Sequence, residues 1–106
     1  MIVSGSFEAC VAPLASHLKI THALTAEPEI NAGKMTGELK QQAIGAGKAE
    51  AMARFLKHKL ADARSCYAYG DDVSDIPMLS TVGNACVVGT SGKLIVEAAK
   101  RGWECI

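Results

Sequence analysis

The most informative stretch of the chain reads CYAYGDDVSDIPML and occupies residues 66–79. Its apolar start, Cys66 to Tyr69, predicts a short strand, and Pro77 is suitably placed near the beginning of a short helix around residues 76–81. Between them lies an acidic loop. In a parallel sheet, ligand-binding groups collect just beyond the carboxyl ends of the strands. This stretch therefore predicts a functional loop at one edge of a sheet.

Predicted strands and helices alternate over the rest of the chain. The first half of the pattern predicts a very short strand at 2–3, a helix from Phe7 to Leu18 capped by Ser6, extended chain at 20–30, a turn at 31–34 and a return strand at 35–39. The second half predicts a helix at about 48–63, with an inner face that includes Leu60, and a buried strand at 85–88. A helix ended by Gly102 and a last strand at 103–106 complete the chain. Such alternation predicts an α/β domain with a mostly parallel sheet, plus a small β-hairpin near residues 24–39.

Composition and charge narrow the classes of partner. Eleven basic and eleven acidic residues cancel in a chain of 106, which argues against nucleic acid or an anionic membrane as a partner. No apolar run approaches the roughly 18 residues of a membrane span, and the start, MIVSGSF, lacks the features of a secretion signal. We expect a cytoplasmic protein.

The four cysteines lie far apart without a C-x-x-C motif, so they predict neither a zinc site nor a disulfide framework.

Three carboxylates within five residues, Asp71, Asp72 and Asp75, crowd the loop after the predicted strand. Like charges this close repel one another, and a hard cation with oxygen ligands relieves the repulsion. Asp71 and Asp75 are therefore candidate metal ligands, and Asp72 is interpreted as a bystander. The alternative is a solvated acidic turn in which Asp75 caps the following helix.

Lys48 lies at the first turn of its predicted helix, after Gly45 and Gly47. A lysine there opposes the helix dipole unless an anion is nearby, which makes it a candidate phosphate ligand; a solvated lysine is the alternative. A nucleotide-binding P-loop is excluded, because Gln42 replaces its first glycine and Ala49 replaces its magnesium-binding hydroxyl.

Ser4 and Gly5 offer a hydroxyl and backbone donors on a tight turn that opens a helix. Helix amino ends favour anions, because unpaired N–H groups and the macrodipole both point at them. The two residues are therefore candidate phosphate ligands. A plain serine cap after a turn is the alternative.

Together, VSGSF at residues 3–7, GKA at 47–49 and GDDVSDIPML at 70–79 resemble the second, third and fourth motifs of the haloacid dehalogenase superfamily. The resemblance is closest to its phosphoserine-phosphatase-like branch and covers nearly the whole chain. It implies a three-layer, Rossmann-like parallel sheet with helices on both faces. It also implies magnesium-dependent transfer of a phosphoryl group from a small phosphorylated metabolite to an aspartate and then to water.

The resemblance also implies a role for each candidate residue. Ser4 and the Gly5 amide would bind phosphate oxygens, and Lys48 would neutralise the phosphate and the nucleophile. Asp71 would ligate Mg²⁺ directly, and Asp75 would hold a metal-bound water or orient Lys48. These roles fit phosphoryl transfer, in which positioning and charge neutralisation supply most of the acceleration.

The family's first motif, D-x-D-x-[TV], supplies the nucleophile, yet no D-x-D occurs in these 106 residues. We therefore expect residues 1–106 to form a partial core domain that is incomplete at its amino-terminal strand and has no cap domain. In the family that strand lies between the strand ending at Ser4 and the strand ending at Gly70. Because unpaired central strands are costly, we expect these two either to pair directly or to be bridged by a neighbouring chain or an upstream segment.

Three hypotheses follow. The first is a part of a magnesium-dependent phosphomonoester hydrolase that works through an aspartyl-phosphate, in which case the isolated chain is inactive. The second is a short non-catalytic protein that binds phosphate or a protein partner. The third is one half of a split enzyme, with a partner segment or a homo-oligomer completing the sheet.

Overall fold

A computed structural model describes all 106 residues, Met1 to Ile106. Strands and helices follow one another as β1 (Ile2–Phe7), α1 (Glu8–His17), β2 (Ala23–Asn31), β3 (Lys34–Gln41), α2 (Ala46–His58), β4 (Tyr67–Gly70), α3 (Ile76–Leu79), β5 (Asn84–Val87), α4 (Gly92–Arg101) and β6 (Glu104–Cys105). Two short 3-10 helices, Ala63–Ser65 and Val73–Asp75, precede β4 and α3. No helix combines the length and the apolar character needed to cross a bilayer.

The strands form two three-stranded sheets, in the orders β1-β2-β3 and β4-β5-β6. β1 pairs with β2 in parallel, and β4, β5 and β6 are parallel throughout. The predicted α/β class with a parallel sheet is confirmed. The predicted hairpin is confirmed as the antiparallel pair β2 and β3, joined through Ala32 (φ 51°) and Gly33 (φ 78°). Positive φ at both turn residues is what a two-residue hairpin loop requires.

A cleft of about 320 Å³ separates the two sheets, between the outer edges of β1 and β4. Val3 of β1 and residues 67–70 of β4 form its walls, and Met52 and Met78 reach it from α2 and α3. Of the expected alternatives, direct pairing of β1 with β4 is wrong: β1 pairs only with β2, and β4 only with β5. Bridging by a neighbouring chain or an upstream segment stays a prediction. Direct pairing would need a strand spacing of about 4.8 Å, which leaves no room for such a cleft.

The main core lies beneath β4 and β5 and is made almost entirely of aliphatic side chains. α2, α3 and α4 supply most of it, through Met52, Leu56, Met78, Leu79, Leu94 and Ala98, against Ala68, Ala85 and Val87 of the sheet. Val3 and Leu24 of the first sheet pack against the same cluster, so one core underlies both sheets. This shared packing holds the two walls of the cleft in place without strand pairing between them.

α1 packs on β1 and β2 through Val11 and Ala15, which are buried yet lie outside the main core cluster. The first sheet therefore carries helices on both faces, as the predicted three-layer arrangement requires. In the second sheet, Tyr67 and Tyr69 alternate with buried Ala68 and point away from α2 and α3. Both tyrosines are exposed.

Several predicted helix boundaries are wrong. Ser6 lies inside β1, and Phe7 occupies the capping position of α1 without a side-chain cap, because the strand continues beyond the predicted Val3. The long helix ends at His58, not near residue 63. Leu60 then takes a positive φ of 54° and is 92% exposed, so it has no place on the inner face.

The four cysteines are free, as predicted. Only Cys86 is buried, where it packs as a small hydrophobe; Cys66 is partly exposed, and Cys10 and Cys105 are exposed. Burial raises the pKa of the Cys86 thiol. The thiol therefore stays protonated and unreactive at neutral pH.

Candidate active site

The acidic loop begins where β4 ends, at Gly70, and is closed by the 3-10 helix Val73–Asp75. Asp72 caps this helix, because its Oδ2 accepts a hydrogen bond from the Ser74 N–H at 2.8 Å. Hydrogen bonds from Ser74 hold the pKa of Asp72 below its ordinary value. This capping contribution is present above the ordinary pKa and is lost as the pH falls through the lowered one. The interpretation of Asp72 as a bystander to the chemistry agrees with this structural role.

Asp75 turns its carboxylate back toward the loop that precedes it. Its Oδ2 accepts hydrogen bonds from the Asp71 and Asp72 N–H groups, both at 3.3 Å, and its Oδ1 accepts one from Lys48 Nζ at 2.5 Å. Both oxygens are therefore engaged within the protein. The alternative in which Asp75 caps the following helix is wrong, since its side chain makes no capping bond to α3.

Lys48 lies in the first turn of α2, as predicted, and its ion pair with Asp75 joins that helix to the acidic loop. The side chains of Lys48 and Asp75 are only 16% and 5% exposed. The solvated-lysine alternative is therefore wrong. Because both charges are largely removed from water, each depends on the other for stabilisation.

Gly70 leaves room for the Asp75 carboxylate to turn back toward the loop that precedes it. A Cβ atom at Gly70 would lie 2.8 Å from the Asp75 Cβ and 2.9 Å from its Oδ2. Sequence reasoning missed this role. A glycine directly between a strand and a carboxylate was the available signal, but the contact depends on how the loop folds back.

We predict that Gly70→Ala lowers the free energy of unfolding by about 1–3 kcal/mol, because the new methyl group must displace a buried carboxylate. Gly92→Ala is the matched control, since nothing lies within 4 Å of a Cβ built at Gly92. We expect the control to be neutral or slightly stabilising, as alanine restricts the unfolded chain. Urea unfolding of the two variants measures the difference. Equal stability of Gly70→Ala and Gly92→Ala would contradict the steric role of Gly70.

Ser4 and Gly5 lie within β1, so the tight turn that was predicted for them at the start of a helix is wrong. They follow Val3, the β1 residue that lines the cleft, but do not line the cleft themselves. Ser4 Oγ accepts a hydrogen bond from the Ser6 N–H at 3.1 Å. Ile44 lies directly on Gly5, with its Cγ1 2.6 Å from where a Gly5 Cβ would be. Sequence reasoning missed Ile44, because an apolar residue in a loop before Gly45 carries no functional signal.

The structure thus brings Lys48, Asp71 and Asp75 into one cleft, with Ser4 and Gly5 beside it.

The donor set of the cleft can be compared with the needs of Mg²⁺. Nowhere in the chain do three or more histidine, cysteine or acidic side chains gather in an arrangement that could hold a metal. Asp71 is exposed at the cleft, whereas the Asp75 oxygens are already engaged. Because Mg²⁺ commonly takes one or two carboxylates together with phosphate oxygens and waters, Asp71 fits as one direct ligand. Asp75 fits only an indirect role.

Comparison with known proteins agrees with this fold. The sequence model of the haloacid dehalogenase-like hydrolases matches residues 1–80. The chain belongs to the haloacid dehalogenase-like hydrolase family.

Two relatives from Mycobacterium tuberculosis illustrate its place in that family. A protein described as a probable phosphatase is 40% identical over 103 residues, which are 97% of this chain and 36% of that protein. A phosphoserine phosphatase is 36% identical over 94 residues, which are 88% of this chain and 30% of that enzyme. The chain thus spans about a third of the length of the curated relatives it matches.

Solved structures show the same fold. A protein of unknown function from Bordetella pertussis superposes with a TM-score of 0.77 at 27% identity, covering 91% of this chain and 45% of that one. A phosphoserine phosphatase in its apo form superposes with a TM-score of 0.74 at 23% identity, covering 97% of this chain and 50% of that one. The resemblance to the phosphoserine-phosphatase-like branch is confirmed.

Proposed function

We propose that this chain is the phosphate- and magnesium-binding part of a phosphomonoester hydrolase that works through an aspartyl-phosphate. The observation that carries the proposal is the cleft between β1 and β4, with the Lys48–Asp75 ion pair and Asp71 lining it. A buried cation beside a free carboxylate suits a ligand that carries both a phosphate group and a divalent metal. The substrate would be a small phosphorylated metabolite in the cytoplasm.

Each residue of the site has a part in this proposal. Lys48, held in place by Asp75, would balance the negative charge of the phosphate. Ser4 and the Gly5 amide would bind its oxygens, and Asp71 would hold Mg²⁺. When bound, the metal would supply further neutralisation of the charge on the phosphate.

The nucleophile would come from an extended segment outside these 106 residues that lies in the cleft and pairs with both open edges. Two sheet edges that face one cleft present unpaired N–H and C=O groups to such a strand. A carboxylate at its end would attack phosphorus while the bond to the alcohol oxygen breaks. Water would then release phosphate from the acyl phosphate. A segment of the same polypeptide or of a partner chain, as in a split enzyme, would satisfy the same geometry.

Phosphate binding by the chain tests this proposal. We expect inorganic phosphate to shift the Gly5 and Lys48 amide signals in NMR titrations, with a dissociation constant of roughly 1 mM, because part of the site is supplied from elsewhere. Lys48→Met should weaken binding about tenfold or more. Lys57→Met is the matched control, since Lys57 is exposed in the last turn of the same helix, and it should bind like the unmodified chain. The absence of any shift at the Gly5 amide would contradict the proposed phosphate site.

A further inference from the structure

A second cleft, of about 300 Å³, is lined in part by Gly5, whose amide is one of the proposed phosphate ligands. Its deepest residues are Ala26 of β2 and Ala43 of the β3–α2 connection, which are 4% and 0% exposed. The second cleft therefore adjoins the proposed phosphate site at Gly5.

The rim of this second cleft is apolar. Phe7, Leu39 and Ile44 form it, and each remains substantially exposed, at 44%, 43% and 62%. Gln42 is its only polar side chain, and no charged residue lines it. Exposed apolar side chains that converge on a concave site of about 300–1,000 Å³ are typical of small-molecule pockets.

Gly5 lies directly against the apolar rim of the second cleft. The Ile44 side chain lies so close to Gly5 that a Cβ there would meet it at 2.6 Å. A group attached to a phosphate held at the Gly5 amide would therefore lie beside the apolar rim. Its other neighbours would be the buried alanines of the floor.

We infer that the second cleft receives the organic part of the substrate, and that this part is uncharged and mainly apolar. The inference rests on the proposed function and adds a class of substrate to it: alkyl or aryl phosphate monoesters. A phosphorylated amino acid would place an ammonium and a carboxylate in a cleft that offers neither charge a partner, which disfavours it.

Binding of a series of phosphate esters to the 106-residue chain tests the inference. Inorganic phosphate, methyl phosphate, hexyl phosphate and O-phosphoserine are titrated by NMR. Because each fully buried methylene can contribute up to about fourfold in affinity, we expect hexyl phosphate to bind about tenfold or more tightly than methyl phosphate. The additional shifts should lie at Ala26, Leu39 and Ala43. O-phosphoserine should bind no more tightly than inorganic phosphate.

Two variants on one strand locate the effect. Leu39→Ser should reduce the advantage of hexyl over methyl phosphate to less than about threefold, because it removes part of the apolar rim. Met35→Ser, on the same strand but outside the second cleft, should keep that advantage. Phosphate binding without dependence on chain length, or with hexyl-specific shifts elsewhere, would overturn the inference and leave the proposed function intact. If no ligand shifts the Gly5 amide, the proposed function fails and the inference fails with it.

Discussion

Asp75→Ala is expected to lower the free energy of unfolding by about 3 kcal/mol, a large share of the roughly 5–15 kcal/mol by which a domain is stable. The substitution leaves Lys48 charged and largely buried without a partner. It also removes the acceptor of the Asp71 and Asp72 N–H groups. Lys48→Met should cost less, because Asp75 would keep both amide donors and lose only the ammonium. Urea unfolding followed by circular dichroism measures both effects.

A double substitution tests how much of the loss of stability in Asp75→Ala comes from leaving the Lys48 charge without a partner. Lys48→Met combined with Asp75→Leu replaces both charges by apolar groups, and replacing a buried ion pair in this way is often neutral or stabilising. We expect the double variant to be more stable than Asp75→Ala alone, although the two amides remain without their acceptor. If Asp75→Ala unfolds at the same urea concentration as the unmodified chain, the ion pair and the loop hydrogen bonds contribute nothing to stability.

The 106-residue chain alone is expected to show no turnover of p-nitrophenyl phosphate with Mg²⁺, and a strand peptide should restore it. The peptide would carry a short apolar run ending in D-x-D-x-T, the first-motif pattern that the family resemblance implies. Because the peptide would supply a positioned carboxylate nucleophile, we expect a rise of about a hundredfold or more over the chain alone. Release of p-nitrophenol at saturating peptide measures the rise.

The controls for this experiment remove one element at a time. A peptide with asparagine in place of the first aspartate should bind equally but give no turnover. Lys48→Met should abolish the restored activity, whereas Lys57→Met should retain it. Two outcomes would refute the proposal: a peptide that binds in the cleft without activating the chain, or magnesium-dependent turnover by the unaided chain that disappears in Lys48→Met.

Much of the site was predictable because it depends on local order in the chain. Lys48 falls in the first helical turn after two glycines, and Asp71 and Asp75 follow a strand, so their place at one sheet edge follows from α/β topology. The hairpin was predictable for the same reason, since its turn chemistry is contained in four consecutive residues. The end of α2 could not be predicted in this way. Leu60 continues the apolar period of the helix but lies beyond its last turn, where tertiary packing no longer holds it.

The α/β class, the hairpin, the family and the residues that meet near the acidic loop could all be predicted from the sequence. Each of these depends on periodicity, turn chemistry or a motif read over a few neighbouring positions. The folded structure was needed to show that Asp75 is engaged by Lys48 and two backbone amides, that Gly70 leaves room for this contact, and that Ile44 covers Gly5. It alone also decided that β1 and β4 stay apart. These features are contacts between segments far apart in sequence, or between a loop and itself after folding, and the free energy that selects them comes from burial and pairing that no local pattern encodes.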